Sequence, residues 1–339
     1  MSESANRSFL PLSLRRSWRF WFGSILSLAA LVWLLATTDW SETWQALTSA
    51  DYRLVLAALV VNLITIPIRS ARWGLMFPKD SRPAFGRLTM AMLIGQAVNV
   101  FVPARLGDLV RATLIDTEHT AFVLGTQVFR IALDLAMLAA LVVVLLFQAG
   151  LPSWWRGPGE ALLVTTALAL IVLSLMVAGR RHLTRLLNWM GSRWPLGRSR
   201  RFLDIGAQFV RSADAFGRPS LVFALLAITV LIWVLYATVN YILLGAVGAP
   251  YSWLAAVFLL AVLQLGVAVP SSPGRVGVYH YLAVQSLAIF GVDQATAVSY
   301  AILLHFISII LPAMIGALLA WHSGVGLRAM SSGIGSQDA

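Results

Sequence analysis

Long, uninterrupted apolar blocks constrain this sequence more than any other feature. Three of them are 135-LAMLAALVVVLLF-147, 161-ALLVTTALALIVLSLMVA-178 and 221-LVFALLAITVLIWVLYATV-239. A transmembrane helix needs about 20 mostly apolar residues in a row, whereas a transmembrane β-strand alternates apolar and polar side chains. The blocks do not alternate, and the whole chain is 59% hydrophobic and 12% charged. The sequence therefore predicts an all-α, polytopic integral membrane protein.

The positive charge of the chain is carried almost entirely by arginine. The formal net charge is +11, and Lys79 is the one lysine among 25 basic residues. A basic balance can indicate nucleic-acid binding, but no nucleic-acid-binding motif accompanies it, so we expect no nucleic-acid partner. In a membrane protein, such an excess of basic residues is explained by their placement in cytoplasmic loops and by their contacts with anionic lipid headgroups. The sequence has no cysteine, and we expect no cofactor.

Arginine and lysine in short loops indicate which side of the membrane each loop faces. The acidic loop 39–51 is predicted outside, and the loop 179–218, with nine arginines, is predicted cytoplasmic. We expect an anchor helix at 20–38 instead of a cleaved signal, and both termini on the cytoplasmic side of the cell (inner) membrane. The expected organisation is a tail at 1–19, a single transmembrane domain at 20–321 with halves 20–178 and 219–321 around the basic loop, and a tail at 322–339.

Two segments must enter and leave the membrane on the same side for this topology to hold. Residues 88–120 begin and end inside, and residues 253–292 begin and end outside. We therefore predict two re-entrant hairpins that enter from opposite faces. The alternative for residues 88–120 is a full hairpin, and the alternative for the second tip is an ordinary loop at the surface. The predicted full spans, about six in number, are 20–38, 54–77, 121–147, 161–178, 220–244 and 294–321.

The tips of the two hairpins resemble each other. Each has a glutamine, a short apolar run and then Pro-x-x-x-Gly, in 96-QAVNVFVPARLGDLV-110 and in 264-QLGVAVPSSPGRVGV-278. Proline lacks an amide donor and glycine permits unusual dihedral angles, so both break helices. Transporters build sites near the bilayer midplane from broken helices in inverted halves, and the pattern favours such a repeat. The predicted breaks are Pro103, Pro270, Pro273 and Gly277.

A helix that begins after such a break points free N–H groups at it, which favours a bound anion. At the first tip, Arg105, Asp108 and Arg111 share roughly one helix face and could present a planar fork to a phosphate. The alternative is that these arginines extend to the headgroups at the interface. The predicted substrate-binding residues are Asn99, Arg105, Gly107, Asp108, Arg111, Ser271, Ser272, Gly274, Arg275, His280 and His305.

Several polar residues lie inside predicted spans. Arg130 and Asp134 are four residues apart and are predicted to form an ion pair, either as a structural lock or as part of a site. His280 and His305 could titrate or hydrogen-bond as a pair, or could be two ordinary interhelical donors. No third ligand accompanies them, so no metal site is expected. No catalytic motif is present, and the sequence predicts that the chain is not an enzyme.

Four stretches carry a resemblance to a known family: 72-RWGLM-76, 99-NVFVPARLGDLVRATLI-115, 130-RIALD-134 and 270-PSSPGRVGVYHYLAVQSLAIFGVDQATAVSYAILLH-305. The sequence resembles, over roughly residues 20–321, the flippase-like transmembrane family related to the membrane domain of lysylphosphatidylglycerol synthases. The first tip matches the family's Pro-x-Arg-x-Gly-acid-x-x-Arg pattern, and the second matches Pro-x-x-Pro-Gly-x-x-Gly. The resemblance implies movement of phospholipids or lipid-linked sugars between leaflets, or support for such movement.

Three departures from the family's pattern bear on the site. His280 stands where the family often has glutamate, and His305 stands where it often has arginine, which suggests that the two positions touch. Arg130 and Asp134 are four residues apart, whereas the family's arginine and aspartate are usually three apart. The synthases' cytoplasmic aminoacyl-transfer domain is absent from this sequence, so we expect lipid handling instead of lipid synthesis.

The leading hypothesis is therefore flippase-like translocation of phospholipid or lipid-linked sugar through a basic site at the bilayer midplane. One alternative is a non-catalytic accessory subunit of a lipid or glycoconjugate pathway. Another is a membrane glycosyltransferase or hydrolase, for which His280 and His305 are the candidate catalytic groups. The expected partners are membrane lipids that are anionic or carry phosphate, with anionic lipid or a protein at the basic loop 179–218.

Overall fold

The computed structural model describes residues 18–101, 106–148, 155–193, 199–250, 252–266 and 273–323, and within these ranges the regular structure is helical, with no β-strand. The α-helices are α1 (Trp18–Thr37), α2 (Trp40–Thr48), α3 (Tyr52–Gly74), α4 (Phe85–Phe101), α5 (Gly107–Ile115), α6 (Thr120–Leu146), α7 (Arg156–Arg193), α8 (Ser199–Arg211), α9 (Pro219–Ala246), α10 (Trp253–Gly266), α11 (Val278–Ala288), α12 (Gln294–His305) and α13 (Leu311–His322). Short 3₁₀ turns lie at Lys79–Ser81, Ser212–Gly217 and Pro273–Arg275. A π-helical turn at Phe306–Ile310 joins α12 to α13.

Five of the described stretches are long and apolar enough to cross a membrane. They are α3, α6, α9, the Arg156–Leu187 part of α7, and the continuous stretch Gln294–His322 through α12 and α13. Three shorter apolar helices accompany them in α1, α4 and α10. The predicted all-α, polytopic membrane fold is confirmed. The membrane side of each terminus, the domain boundaries and the re-entrant path of the hairpins stay predictions.

The basic segment 179–218, predicted as a loop, is largely helical. α7 runs for 38 residues to Arg193, and α8 then occupies Ser199–Arg211. At about 1.5 Å per residue α7 is roughly 57 Å long, whereas the hydrocarbon core of a bilayer is about 30 Å thick. Hydropathy indicates where a helix leaves the lipid but not where the helix ends. The apolar pattern therefore could not predict that α7 continues beyond the span 161–178. α8 packs back against α6 and α7.

The two halves of the chain pack reciprocally. α3 packs along α9, while α4, which leads to the first tip, packs along α13 of the second half. In turn α10, which leads to the second tip, packs against α6 of the first half. Each hairpin is thus held by a long helix of the other half, as expected of two repeats related by a pseudo-two-fold axis.

The packing of α4 on α13 depends on a small residue. A side chain at Gly316 of α13 would collide with the backbone carbonyl of Leu93 in α4. Close packing of this kind is a main attraction between helices in lipid, because the hydrophobic effect does not drive them together there. Buried polar contacts add to it, and the Tyr300 hydroxyl of α12 donates to Asn240 Oδ1 of α9 at 2.7 Å.

The π-helical turn between α12 and α13 is stabilised by side chains from two other helices. Pro312 has no N–H, so carbonyl groups one turn earlier lack their usual donor. Asn62 Nδ2 of α3 donates to the Ile307 carbonyl at 2.8 Å, and Gln96 Nε2 of α4 donates to the Ser308 carbonyl at 3.3 Å. Carbonyl groups inside a membrane need such partners, because no water replaces them. The turn therefore ties two helices of the first half to the last span.

Candidate functional site

The first tip is formed where α5 folds back closely against α4. The Gly107 N–H donates to Asn99 Oδ1 at 2.8 Å, which ties the start of α5 to α4. A side chain at Gly107 would collide with the Gly95 carbonyl, and a side chain at Gly95 would collide with Arg111. The two glycines therefore allow the helices to approach and leave room for the Arg111 side chain, which is buried.

Asp108 lies between two arginines at this tip. Arg111 Nη1 donates to Asp108 Oδ1 at 2.7 Å, across one turn of α5. Arg130 of α6 approaches the same carboxylate oxygen, with its Nη2 at 3.8 Å. Arg130 Nε also donates to Gln127 Oε1 at 2.7 Å, which orients the guanidinium group. Asp108 thus has one close arginine and one more distant arginine.

Asp134 has a closer partner than the one predicted from the sequence. Arg72 of α3 donates from Nη1 and Nη2 to the two carboxylate oxygens of Asp134, at 2.7 and 3.2 Å. Arg130 Nη1 lies 3.6 Å from Asp134 Oδ2, which is a longer contact. Arg72 is only 1% exposed and also donates to Thr229 Oγ1 of α9 at 2.9 Å. A two-point fork is the strong form of an arginine–carboxylate contact, so Arg72–Asp134 is the principal pair.

Arg130 joins these pairs into one group, the arginine–aspartate cluster, which consists of Arg72, Asp108, Arg111, Arg130 and Asp134. Its three arginines and two aspartates give a formal charge of +1. Arg69 of α3 adds to the positive field at Arg111 and Arg130. Asp134 lies near the middle of the long apolar helix α6. Charged groups at that depth are costly and usually mark a functional site.

Three buried donors in and beside the cluster have no hydrogen-bond acceptor among the residues that the structure describes. They are Arg72 Nε, Arg111 Nε and Gln127 Nε2. A buried donor without an acceptor costs about 1–3 kcal/mol, and more when it is charged. A ligand with several acceptor oxygens would satisfy these donors, and the planar edge of a guanidinium group matches the oxygens of a phosphate. The cluster therefore has the charge and the free donors of an oxyanion site.

The second tip contains an irregular turn before α11. Gly274, Arg275 and Gly277 have φ values of 69°, 60° and 94°. Glycine adopts such left-handed conformations without cost, whereas Arg275 stores a small amount of backbone strain. His305 Nε2 of α12 donates to the Gly274 carbonyl at 2.7 Å, which ties the turn to the last span. Pro273 begins the 3₁₀ part of this turn.

His280 and His305 contact each other, which the sequence suggested but could not show. Their ring centroids are 4.8 Å apart, and the Tyr279 ring lies 5.2 Å from His305. His280 Nδ1 is buried without a hydrogen-bond partner among the described residues. The contact depends on the packing of α11 against α12. The two histidines and the Gly274 turn thus form one group at the second tip.

The two tips lie side by side. The turn Pro273–Arg275 packs against α4, and a side chain at Gly274 would lie 3.8 Å from Val100 Cγ1. Val100 directly follows Asn99, so the structure brings the first-tip and second-tip residues into one region. Five predicted residues lie outside the described residues: Pro103, Arg105, Pro270, Ser271 and Ser272.

Sequence reasoning missed three members of this site: Arg72, Gln127 and Thr229. Arg72 is not among the predicted site residues, because its burial is invisible in the sequence. A signal was present, since Arg72 opens one of the stretches that resemble the family. Gln127 could have been found from its position one turn before Arg130, where two long polar side chains share a helix face. Thr229 carries no sequence signal.

Residues 20–316 match the family described as the lysylphosphatidylglycerol synthase TM region. The chain belongs to this family. The match covers both hairpins and every residue of the arginine–aspartate cluster. The predicted family membership is therefore confirmed, and membership of a membrane-domain family agrees with the multi-pass fold.

One curated protein similar to this member of the lysylphosphatidylglycerol synthase TM family is Glycosyltransferase AglD of Haloferax volcanii. It is 27% identical over 318 residues, which cover 84% of this chain and 51% of the relative. The chain thus spans about half the length of the curated relative that it matches. The sequence predicted that the chain is not an enzyme; similarity to a protein named as a glycosyltransferase contradicts that prediction.

Proposed function

We propose that this protein binds the phosphate of a lipid headgroup in the arginine–aspartate cluster and moves that headgroup between the two leaflets. The lipid is a phospholipid or a lipid-linked sugar. The observation that carries the proposal is the set of buried guanidinium and amide donors at Arg72, Arg111 and Gln127, for which no described residue supplies an acceptor. A cluster with a formal charge of +1 also attracts an anion into a region that otherwise excludes charge.

The architecture supports movement as well as binding. A lipid headgroup that crosses the bilayer needs a polar path, while its acyl or prenyl chains stay in the hydrocarbon. Two adjacent tips, each held by helices of the opposite half, could open the cluster alternately to each side, as inverted repeats do in secondary transporters. Irregular backbone such as the Gly274 turn is tolerated at membrane depth where it lines such a cavity.

Leaflet transfer in vesicles tests this function. The full chain would be reconstituted in phosphatidylcholine vesicles that contain a fluorescent phosphatidylglycerol, and transfer would be followed by quenching of the outer leaflet. We expect Arg111→Gln to lower the transfer rate at least about tenfold, because a charge-assisted bond to phosphate is lost. Arg53→Gln, an exposed arginine at the start of α3, serves as the matched control and should leave the rate unchanged.

Two outcomes would contradict the proposal. One is no transfer by a well-folded wild type with phosphatidylglycerol or with a lipid-linked sugar phosphate. The other is transfer that Arg111→Gln and Arg53→Gln affect equally, which would mean that the cluster does not form the path.

A second candidate function is participation in sugar transfer to or from a lipid, and the similarity to a named glycosyltransferase favours it. The same cluster would then hold the phosphate of the lipid carrier, and the His280–His305 group at the second tip would supply the candidate catalytic side chains. The purified chain incubated with a radiolabelled lipid-linked sugar, with His280→Ala beside the wild type, tests this function. Absence of sugar release or transfer by the wild type would argue against it.

A further inference from the structure

We infer that Asp108 is an internal counter-ion that occupies the phosphate position of the arginine–aspartate cluster and is displaced when substrate binds. The inference rests on the proposed function and adds an autoinhibitory contact to it. The carboxylate of Asp108 lies between Arg111 and Arg130. A phosphate would replace this carboxylate with the same charge and with more acceptor oxygens.

The two aspartates of the cluster are held very differently. Asp134 accepts two bonds from Arg72, one on each carboxylate oxygen, and Arg72 is further fixed by Thr229. Among the described residues, Asp108 accepts one side-chain bond, from Arg111, through a single oxygen. Its second arginine, Arg130, stays at 3.8 Å, beyond hydrogen-bonding distance. Asp134 is thus locked in place, whereas Asp108 can leave at the cost of one side-chain hydrogen bond from the part of the chain that the structure describes.

The groups around Asp108 suit a larger anion better than they suit a carboxylate. Arg111 uses Nη1 for Asp108, while its Nε is buried without an acceptor among the described residues. The Nε of Arg111 shares its donor edge with Nη2, so the bond to Asp108 leaves this buried donor unused. A tetrahedral phosphate has several oxygens to distribute between Arg111 and Arg130, whereas the Asp108 carboxylate approaches both arginines through a single oxygen.

Asp108 also lies where a small movement can release it. It is the second residue of α5, which is nine residues long. The hydrogen bond between Gly107 and Asn99 ties the start of α5 to α4 but does not involve the Asp108 side chain. Asp108 can therefore turn away from the arginines while the backbone of the hairpin remains in place.

The test measures binding of phosphate by charge-altered variants of the full chain. Inorganic phosphate and short-chain phosphatidylglycerol are the two probes, in detergent at low ionic strength, for wild type, Asp108→Asn and Asp108→Glu. We expect Asp108→Asn to bind phosphatidylglycerol about tenfold more tightly than wild type, because the competing charge is removed. Asp108→Glu keeps that charge and should bind no more tightly than wild type. Asp214→Asn removes an exposed carboxylate elsewhere and controls for net charge.

The outcomes separate this inference from the proposed function. Tighter binding of both probes by Asp108→Asn alone supports an internal counter-ion for any phosphate, and tighter binding of phosphatidylglycerol alone supports one specific to lipid headgroups. Equal or weaker binding by Asp108→Asn, with a wild type that binds, overturns the inference and leaves the proposed function standing. The same result follows if Asp214→Asn tightens binding equally. No binding of either probe by any variant, all folded by thermal melting, overturns both.

Discussion

At the scale of single residues, the Arg72–Asp134 pair determines how the cluster is held in the membrane. Arg72 is buried, its two Nη groups are bonded to Asp134, and the pair connects α3 to α6 and, through Thr229, to α9. An arginine in this position cannot reach water when its carboxylate is removed. The pair is therefore the structural member of the cluster, while Arg111 and Asp108 are the members nearest to the first tip.

Asp134→Asn should strongly destabilise the protein, because Arg72 would remain buried without a negative partner. Breaking a buried ion pair typically costs about 3–5 kcal/mol. Asp214→Asn is the matched control, since Asp214 is paired with Arg180 at 3.4 Å but its side chain is 69% exposed. An exposed pair contributes roughly 0–1 kcal/mol. Thermal unfolding in detergent measures the stability of both variants. A melting temperature that falls equally for the two would contradict the structural role of the Arg72–Asp134 pair.

Some contacts between residues of the site could be predicted from the sequence, and others could not. Asp108 and Arg111 are three apart, so their proximity follows from helical spacing alone. The Arg72–Asp134 pair joins residues 62 positions apart and depends on how α3 packs in the first half, which no local pattern encodes. The contact between His280 and His305 was suggested by a paired departure from the family pattern. No sequence pattern suggested the hydrogen bond from His305 to the Gly274 carbonyl.

At the scale of secondary-structure elements, the π-helical turn is one place where the first half donates hydrogen bonds to the second half. Pro312 was visible in the sequence as a residue without an N–H. The sequence did not show which carbonyl groups would lose their donor to it, nor that Asn62 and Gln96 would replace it. π-Helical turns are rare and frequently occur at functional sites. This one directly follows His305, so it positions the residue that holds the second tip.

Asn62→Leu should destabilise the wild-type protein by about 1–3 kcal/mol, because the Ile307 carbonyl loses its donor. In a Pro312→Ala background the restored N–H can donate to a carbonyl of the π-helical turn. Asn62→Leu should therefore lower the free energy of unfolding by clearly less in that background. Thermal melting of the wild type, both single variants and the double variant forms a double-mutant cycle that measures the difference. Equal costs in the two backgrounds would show that Pro312 is not the reason why the turn needs Asn62.

At the scale of the whole molecule, each hairpin depends on the opposite half for its position. α4 packs on α13, and α10 packs on α6, so neither half has a complete set of contacts for its own tip. Long apolar blocks and loop charge predicted the helical, membrane-spanning type of the main elements. Five described stretches have the length of a span, and the predicted span 20–38 is described as the shorter apolar helix Ile25–Thr37. Neither pattern could predict which helices pair, because lipid-facing and protein-facing apolar residues look alike in a sequence.

Gly316→Ala should destabilise the molecule by about 1–3 kcal/mol, because a methyl group there would push the α13 backbone away from α4. Gly179→Ala in α7 is the matched control, since a side chain at Gly179 would contact nothing within 4 Å. Alanine also favours helix over glycine, so the control should be neutral or slightly stabilising. Thermal melting in detergent and leaflet transfer in vesicles measure the effect, and a neutral Gly316→Ala would contradict the close approach of the two helices.

In the proposed transport cycle, the membrane potential would act differently on the arginine–aspartate cluster without phosphate and with bound phosphate. The empty cluster has a formal charge of +1, and a bound phosphodiester with one negative charge makes it formally neutral. A potential of 100 mV contributes about 2.3 kcal/mol for each elementary charge that crosses it, and nothing for a neutral assembly. Voltage would then favour one orientation of the empty protein and leave the loaded protein unaffected. In that proposed cycle, the step that resets the protein, and not the step that carries lipid, would respond to the voltage across the membrane.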